Sequence, residues 1–319
     1  RYTSQLEELT GRKDQAILAN ADIYERNNKI EKADEELAKL PANILEQTLN
    51  VIIRARVLVS KKEYEQAVDL ILKYEDKLPE LEELSQITAL FMLAKAYDKL
   101  GEYDKAWETA AKAHSLSTFP FDIDSYFKQF TEMREFMSRE IFEALDEGPT
   151  TKVEPLFIVG NPRSGTSLLE QIISMHPDIE NCGEMSVGMT MQLDILPLTD
   201  SFHAWPNNLV DIRADDAAKL AEFYLEAVEY SRNGERVMSN KALNLPIQVG
   251  FLSKILPSSR AIMLHRHPLD NAVSCFTTNL LVSGHSYTNS LHSLGSTSGR
   301  WKNYEKHLGP LMDIVSDYI

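Results

Sequence analysis

Pro155-Leu-Phe-Ile-Val-Gly160 runs straight into Asn161-Pro162-Arg163-Ser164-Gly165-Thr166-Ser167, and Leu168, Leu169, Ile172 and Ile173 follow at helical spacing. The first segment is a short apolar run with β-branched residues, the pattern of a strand buried in a parallel sheet. The order is therefore strand, glycine-containing loop, helix. Such a loop ends where backbone N–H groups lack intrahelical partners and the helix dipole presents its positive end. Together these make a phosphate cradle. Gly160 and Gly165 let the backbone fold tightly around an anion, Arg163 brings a cation, and Thr166 and Ser167 bring hydroxyl donors.

The nucleoside-triphosphatase loop G-x-x-x-x-G-K-[ST] shares the two glycines but requires a lysine after the second. Thr166 stands in that place, and the cation lies inside the loop at Arg163. A clamp on β- and γ-phosphates is thus poorly supplied, which disfavours a P-loop kinase. Three further segments follow. Asn181-Cys182-Gly183-Glu184 comes after a short strand pattern. Val237-Met-Ser-Asn240-Lys241-Ala-Leu-Asn244-Leu-Pro246 is the second. The third, Ala261-Ile-Met-Leu-His265-Arg266-His267-Pro268 and on to Ser274, reads as a strand, a basic turn and a helix start. Taken alone, Glu184 reads as a turn glutamate and Lys241 as a solvated surface lysine. His265 and His267 share one face of an extended strand, but a third ligand is missing and Arg266 is a poor neighbour for a cation. No metal site is expected.

The stretch Phe157–Leu168 resembles the sulfotransferase family at its 5′-phosphosulfate loop. The other three segments recur in that family's order, so about residues 155–315 resemble the sulfotransferases that use 3′-phosphoadenosine-5′-phosphosulfate (PAPS), in particular the tyrosylprotein and tetratricopeptide-type branch. The resemblance implies PAPS as co-substrate and no metal. It places Arg163, Ser164, Gly165, Thr166 and Ser167 on the 5′-phosphosulfate, and Arg266 and Ser274 on the 3′-phosphate. It makes Glu184 the catalytic base, Lys241 and Arg163 the groups that stabilise the transferring sulfuryl, and Asn244 an orienting residue for Lys241. These roles fit elementary chemistry. An acceptor hydroxyl must lose its proton as sulfur is attacked, and a guanidinium holds a phosphate bidentately. The family continues with a Tyr-Glu-containing strand, whereas Tyr304-Glu305 lies in a helical pattern. The chain is therefore expected to stop short of the domain's C-terminal end. It opens at Arg1 without Met, so it reads as a fragment or as trimmed at both ends.

The first half is repetitive. Glu63-Tyr-Glu-Gln-Ala67 and Glu102-Tyr-Asp-Lys-Ala106 are nearly one phrase, with a weaker copy at Lys29–Ala33. Their alanines lie 34 and 39 residues apart, close to the period of a tetratricopeptide repeat. Leu93, Ala94, Tyr97, Gly101, Tyr103, Ala106 and Ala113 fit one helical hairpin, with small residues where helices approach and Gly101 at a left-handed helix end. About residues 14–120 resemble the tetratricopeptide family; the alternative is a helical bundle with chance periodicity. Residues 121–147 read as one further amphipathic helix with an aromatic stripe, followed by the linker Glu147–Thr151.

The chain has 319 residues, 43% hydrophobic and 25% charged, which suits two globular domains. The expected fold is α plus α/β. An α-solenoid of tetratricopeptide repeats fills 1–120, a connecting helix and linker fill 121–150, and a P-loop-like three-layer domain with a parallel sheet fills 151–319. A net charge of −15 argues against a nucleic-acid surface, and no apolar run is long enough for a membrane span. Two cysteines favour a reducing compartment, read as cytoplasmic. The function expected is sulfuryl transfer from PAPS to a hydroxyl acceptor (peptide, carbohydrate or small molecule), with a possible protein partner on the repeats. The rivals are a catalytically inactive repeat scaffold that binds peptides and, behind it, a P-loop kinase. Residues 185–235 are expected to hold the acceptor-side loops and Ser283–Arg300 a lid.

Overall fold

The computed structural model describes residues 13–117, 122–229, 237–280, Tyr304 and Leu308. Phe121, residues 230–235, the Ser283–Arg300 lid and Glu305 lie outside the described residues. The chain forms two compact units, one of residues 1–121 with 268–319 and one of 122–267.

The first unit is helical. Helices α1 (Lys13–Arg26), α2 (Ile30–Leu37), α3 (Ala42–Leu45), α4 (Thr48–Ser60), α5 (Tyr64–Lys73), α6 (Glu83–Leu100) and α7 (Tyr103–Leu116) follow one another. A 3-10 turn, Glu75–Glu80, fills the longer connection before α6. Neighbours pack as α1 with α2, α4 with α5, and α6 with α7. Ala55, Ala67, Ala94, Ala106, Ala110 and Ala113 are fully buried, because a side chain no larger than a methyl lets the helix axes close up. Gly101 ends α6 at φ +80°, the left-handed position that glycine takes without a Cβ clash.

The same core takes in a later segment. Helix α14 (Pro268–Phe276) contributes Leu269, Ala272, Val273, Cys275 and Phe276 to it. Phe276 stacks on Trp107 with ring centroids 4.3 Å apart, and its carbonyl oxygen lies 2.9 Å from His114 Nε2. Tyr304 is buried beside Trp107, with its hydroxyl 2.5 Å from Asp98 Oδ1.

The second unit begins with α8 (Ile123–Phe136) and α9 (Arg139–Ala144). The sequence pattern predicts one continuous helix here, and the structure breaks it in two. Ser138 is extended and accepts a hydrogen bond at Oγ from the Ile141 N–H. A serine that caps the next helix costs the preceding one its last turn. The linker after α9 is anchored: Gly148 N donates to the Lys254 carbonyl at 2.9 Å, and Lys254 Nζ bonds Glu147 at 2.9 Å.

Four strands follow, β1 (Glu154–Gly160), β2 (Ile179–Asn181), β3 (Val237–Asn240) and β4 (Arg260–Leu264). All neighbouring pairs are parallel, in the order β2-β3-β1-β4. Phe157 pairs with Asn240 and Ala261, Gly160 with Leu264, and Asn181 with Ser239. Between strands lie α10 (Thr166–Ile173), α11 (Val187–Thr199), the 3-10 turn Asn207–Asp211, α12 (Ala214–Glu229) and α13 (Leu245–Ile255). The core centres on Phe157, Tyr224, Met238, Phe251 and Leu252. Among the described residues, no helix is long and apolar enough to cross a membrane.

Candidate functional site

Parallel strands deliver their following loops to one sheet edge, and ligands of such sheets bind outside the strands' C-terminal ends. Each of the four sequence segments begins there. The 160–165 loop leaves β1, the Gly183–Glu184 turn follows β2, Lys241 follows β3, and Arg266 follows β4.

The loop after β1 is tightly wound. A Cβ on Gly160 would sit 2.6 Å from Ser164 Oγ and 3.2 Å from the Leu264 carbonyl oxygen. Glycine is favoured there by crowding, not by its dihedrals. Arg163 takes φ +69° and Gly165 φ +105°. A non-glycine residue in this region is held by its surroundings at some energetic cost. The turn is closed by Ser164 N donating to the Asn161 carbonyl at 3.0 Å. Gly165 then caps α10 without any side-chain hydrogen bond. Ser164 Oγ is buried and has no hydrogen-bond partner among the described residues. A buried unpartnered hydroxyl is costly, and an anion seated over the first turn of α10 would satisfy it. Arg266 Nη1 donates to the Arg163 carbonyl at 2.5 Å, so this guanidinium braces the loop while keeping other N–H donors. The expected anion ligands Arg163, Ser164, Gly165, Thr166 and Ser167 are thus contiguous, and Arg266 reaches the same loop. Ser274 is buried on α14, in the other compact unit.

The second cluster joins β2 and β3. Lys241 Nζ donates to Glu184 Oε1 at 2.7 Å; the lysine side chain is 12% exposed and the glutamate 53%. A pair this open contributes at most about 1 kcal/mol to stability. The backbone holds it in place. Lys241 N donates to the Gly183 carbonyl at 2.9 Å. Asn240, 1% exposed, accepts at Oδ1 from Met185 N (3.3 Å) and Ala242 N (2.9 Å) and donates from Nδ2 to the Met185 carbonyl (3.1 Å). Asn240 therefore stitches the Glu184 turn to the Lys241 strand end. Asn244, expected to orient Lys241, instead donates to Gln248 Oε1 at 2.9 Å.

Two features escaped the sequence reading. Asn240 was visible only as part of a phrase. Glu170 carries no sequence signal of its own, yet α10 buries Thr166 and Glu170 while Leu168 and Ile172 are 62% and 57% exposed. Burial pushes the Cys182 thiol up to about 11, with Glu180 and Glu170 adding repulsion. It raises the Tyr224 phenol further still. Among the described residues, no group of three or more His, Cys, Asp or Glu is placed to hold a metal.

Comparison with known proteins bears on this geometry. An uncharacterized protein of Aquifex aeolicus (strain VF5) is 25% identical over 299 residues, covering 82% of this chain. The chain spans 39% of that relative's length. The second half also matches a family model described as Sulfotransferase family, over residues 155–311. The β1 loop, the Glu184–Lys241 pair and Arg266 all fall inside that matched span.

Proposed function

We propose that this chain transfers the sulfuryl group of PAPS to a hydroxyl acceptor, in line, with Glu184 as general base. The observation that carries the reading is the Glu184 carboxylate held 2.7 Å from Lys241 Nζ at the sheet edge that also bears the anion loop. Backbone N–H groups and hydroxyls from Arg163 to Ser167 take the 5′-phosphate, and the unpartnered Ser164 Oγ supports that placement. The acceptor oxygen forms a bond to sulfur as the bond from sulfur to the 5′-phosphate oxygen breaks. Glu184 takes the acceptor's proton. Lys241 and Arg163 meet the charge that develops on the bridging and sulfuryl oxygens. The products are a sulfate ester and adenosine 3′,5′-bisphosphate. The 3′-phosphate is assigned to Arg266 on the family resemblance.

We also infer that the helical pairs of the first unit are tetratricopeptide repeats and that the chain falls near the tyrosylprotein branch. Fully buried alanines at 55, 67, 94 and 106 support the first point. A peptide or protein partner on the repeats belongs to the same proposal.

Calorimetric titration with adenosine 3′,5′-bisphosphate tests the donor site, with adenosine 5′-monophosphate and ATP–Mg²⁺ as controls. Selective binding lost in Arg266→Ala is expected. Equal affinity for all three ligands would refute the assignment. Glu184→Gln should abolish turnover of PAPS and leave bisphosphate affinity within about 3-fold, since the base acts only as the acceptor proton leaves. Wild-type turnover in that variant removes Glu184 from the role.

A further inference from the structure

We propose that Glu170 is the positioning residue that sets the distance between the anion loop and the Glu184–Lys241 pair. The role rests on the sulfuryl-transfer reading above.

Helix α10 buries a carboxylate and leaves half of its apolar stripe outside, with Leu169 and Ile173 only half-buried. Its leucine and isoleucine at 168 and 172 face outward, and the carboxylate at 170 is 1% exposed. A buried carboxylate loses its hydration and is tolerated only where hydrogen bonds replace it. A leucine would fill the place at lower cost if packing were the purpose. Oε1 of Glu170 accepts from Ser239 Oγ at 2.8 Å and from the Gly183 N–H at 3.2 Å. Ser239 is itself fully buried in β3, two residues before Lys241. Gly183 immediately precedes Glu184 and shares its N–H with Asn181 Oδ1 at 3.0 Å. One oxygen thus ties three elements: the helix that carries the anion loop, the turn that carries the base, and the strand that carries the lysine. Glu170 stands four residues beyond Thr166, the first residue of α10. A shift of the Gly183 turn against that helix would change the reach from Glu184 to anything seated on the loop.

The geometry is tested with Glu170→Leu, which keeps bulk and deletes the acceptor, and Glu170→Gln, which keeps an acceptor oxygen. The readouts are PAPS consumption with water or a small phenol as acceptor, affinity for adenosine 3′,5′-bisphosphate, and hydrogen exchange over residues 181–186. Glu170→Leu should lose about 100-fold in PAPS consumption, the scale of an ångström-sized misplacement. It should hold bisphosphate affinity within about 3-fold and lose protection at 181–186. Glu170→Gln should restore most of the rate and the protection. Wild-type rate and protection in Glu170→Leu would overturn the role, and so would an equal loss in both variants. If Glu170→Leu does not fold, Ser239→Ala carries the test: a rate loss at unchanged bisphosphate affinity supports the role, and no loss overturns it. If wild type binds bisphosphate without turning over, exchange alone decides, and equal protection in all variants counts against the role. A wild-type chain that neither binds bisphosphate nor consumes PAPS sinks the transferase reading, and this role with it.

Discussion

The helical unit and the strand-end edge of the sheet both depend on glycine and on small or polar residues at fixed places, for opposite reasons. Gly101 needs its left-handed dihedrals, and a Cβ there would meet nothing within 4 Å. Gly160 needs no unusual dihedral, and a Cβ there would strike Ser164 and Leu264. In the helical unit, alanines at 94 and 106 vanish into apolar contact. At the sheet edge, the residues that vanish are Glu170, Ser239 and Asn240, each through hydrogen bonds. Packing shapes the first region, and polar stitching shapes the second. Substitutions should therefore separate stability from ligand handling.

The sharpest separation is expected at Lys241. Lys241→Ala removes the cation nearest Glu184 and should reduce PAPS turnover about 100- to 1,000-fold, the usual consequence of losing one transition-state donor. Its bisphosphate affinity and melting temperature should barely move, because a half-open ion pair adds little to folding. A loss of stability larger than the loss of rate would mean that the pair is structural, and the contrast between the regions would collapse.

Gly160→Ala comes next. Overpacking of this kind costs about 1–3 kcal/mol. Here the loop would absorb it, since Ser164 and Thr166 are the nearest side chains. Bisphosphate affinity should fall at least about 10-fold in calorimetry, with only a modest drop in melting temperature. Gly101→Ala is its mirror image. The left-handed conformation costs a non-glycine residue about 1–2 kcal/mol, so the melting temperature should fall by a few degrees with bisphosphate affinity unchanged. If both glycine variants alter both readouts alike, the division of labour is wrong.

The contrast also explains what could be read from the sequence. The strand–loop–helix order at 155–173 and the helix end at Gly101 were legible because dihedral and periodic signals are local. The break at Met137–Ser138 was hidden because an aromatic stripe at helical spacing continues across it, and one capping serine outweighs the stripe. The burial of α10 was unreadable in principle. Periodicity assigns Leu168 and Ile172 inward, and only the partners Ser239 and Gly183, remote in sequence, turn Glu170 to that side. The family match extends to residue 311, whereas the second compact unit ends at His267. Phe276 and Cys275 carry no mark that says they pack with Trp107 and α6–α7 rather than with the sheet.

The two cysteines give the smallest and cleanest comparison, one in each region. Cys275 is 1% exposed in the helical core, so alkylating reagents should not reach it in the native protein. Cys182 is half-buried beside the Glu184 turn, and its thiol is pushed up to about 11, first by burial and then by Glu180 and Glu170. Reactivity follows the thiolate. A thiol held at about 11 rather than 9.0 should alkylate about 100-fold more slowly at pH 8 than an exposed one. The rate should keep climbing with pH past 9, where an ordinary thiol levels off. The effect on stability has a definite sign. Between pH 9 and 11 the native thiol keeps a proton that the unfolded chain has released, so stability falls as pH rises through that window and is untouched below it. Glu170→Gln removes one of the repelling charges and should speed Cys182 alkylation, while Lys241→Ala should not. Alkylation of Cys182 in wild type at the rate of an exposed thiol would show that the turn beside Glu184 opens freely, and the stitching that distinguishes this region from the helical unit would then be too loose to position a base.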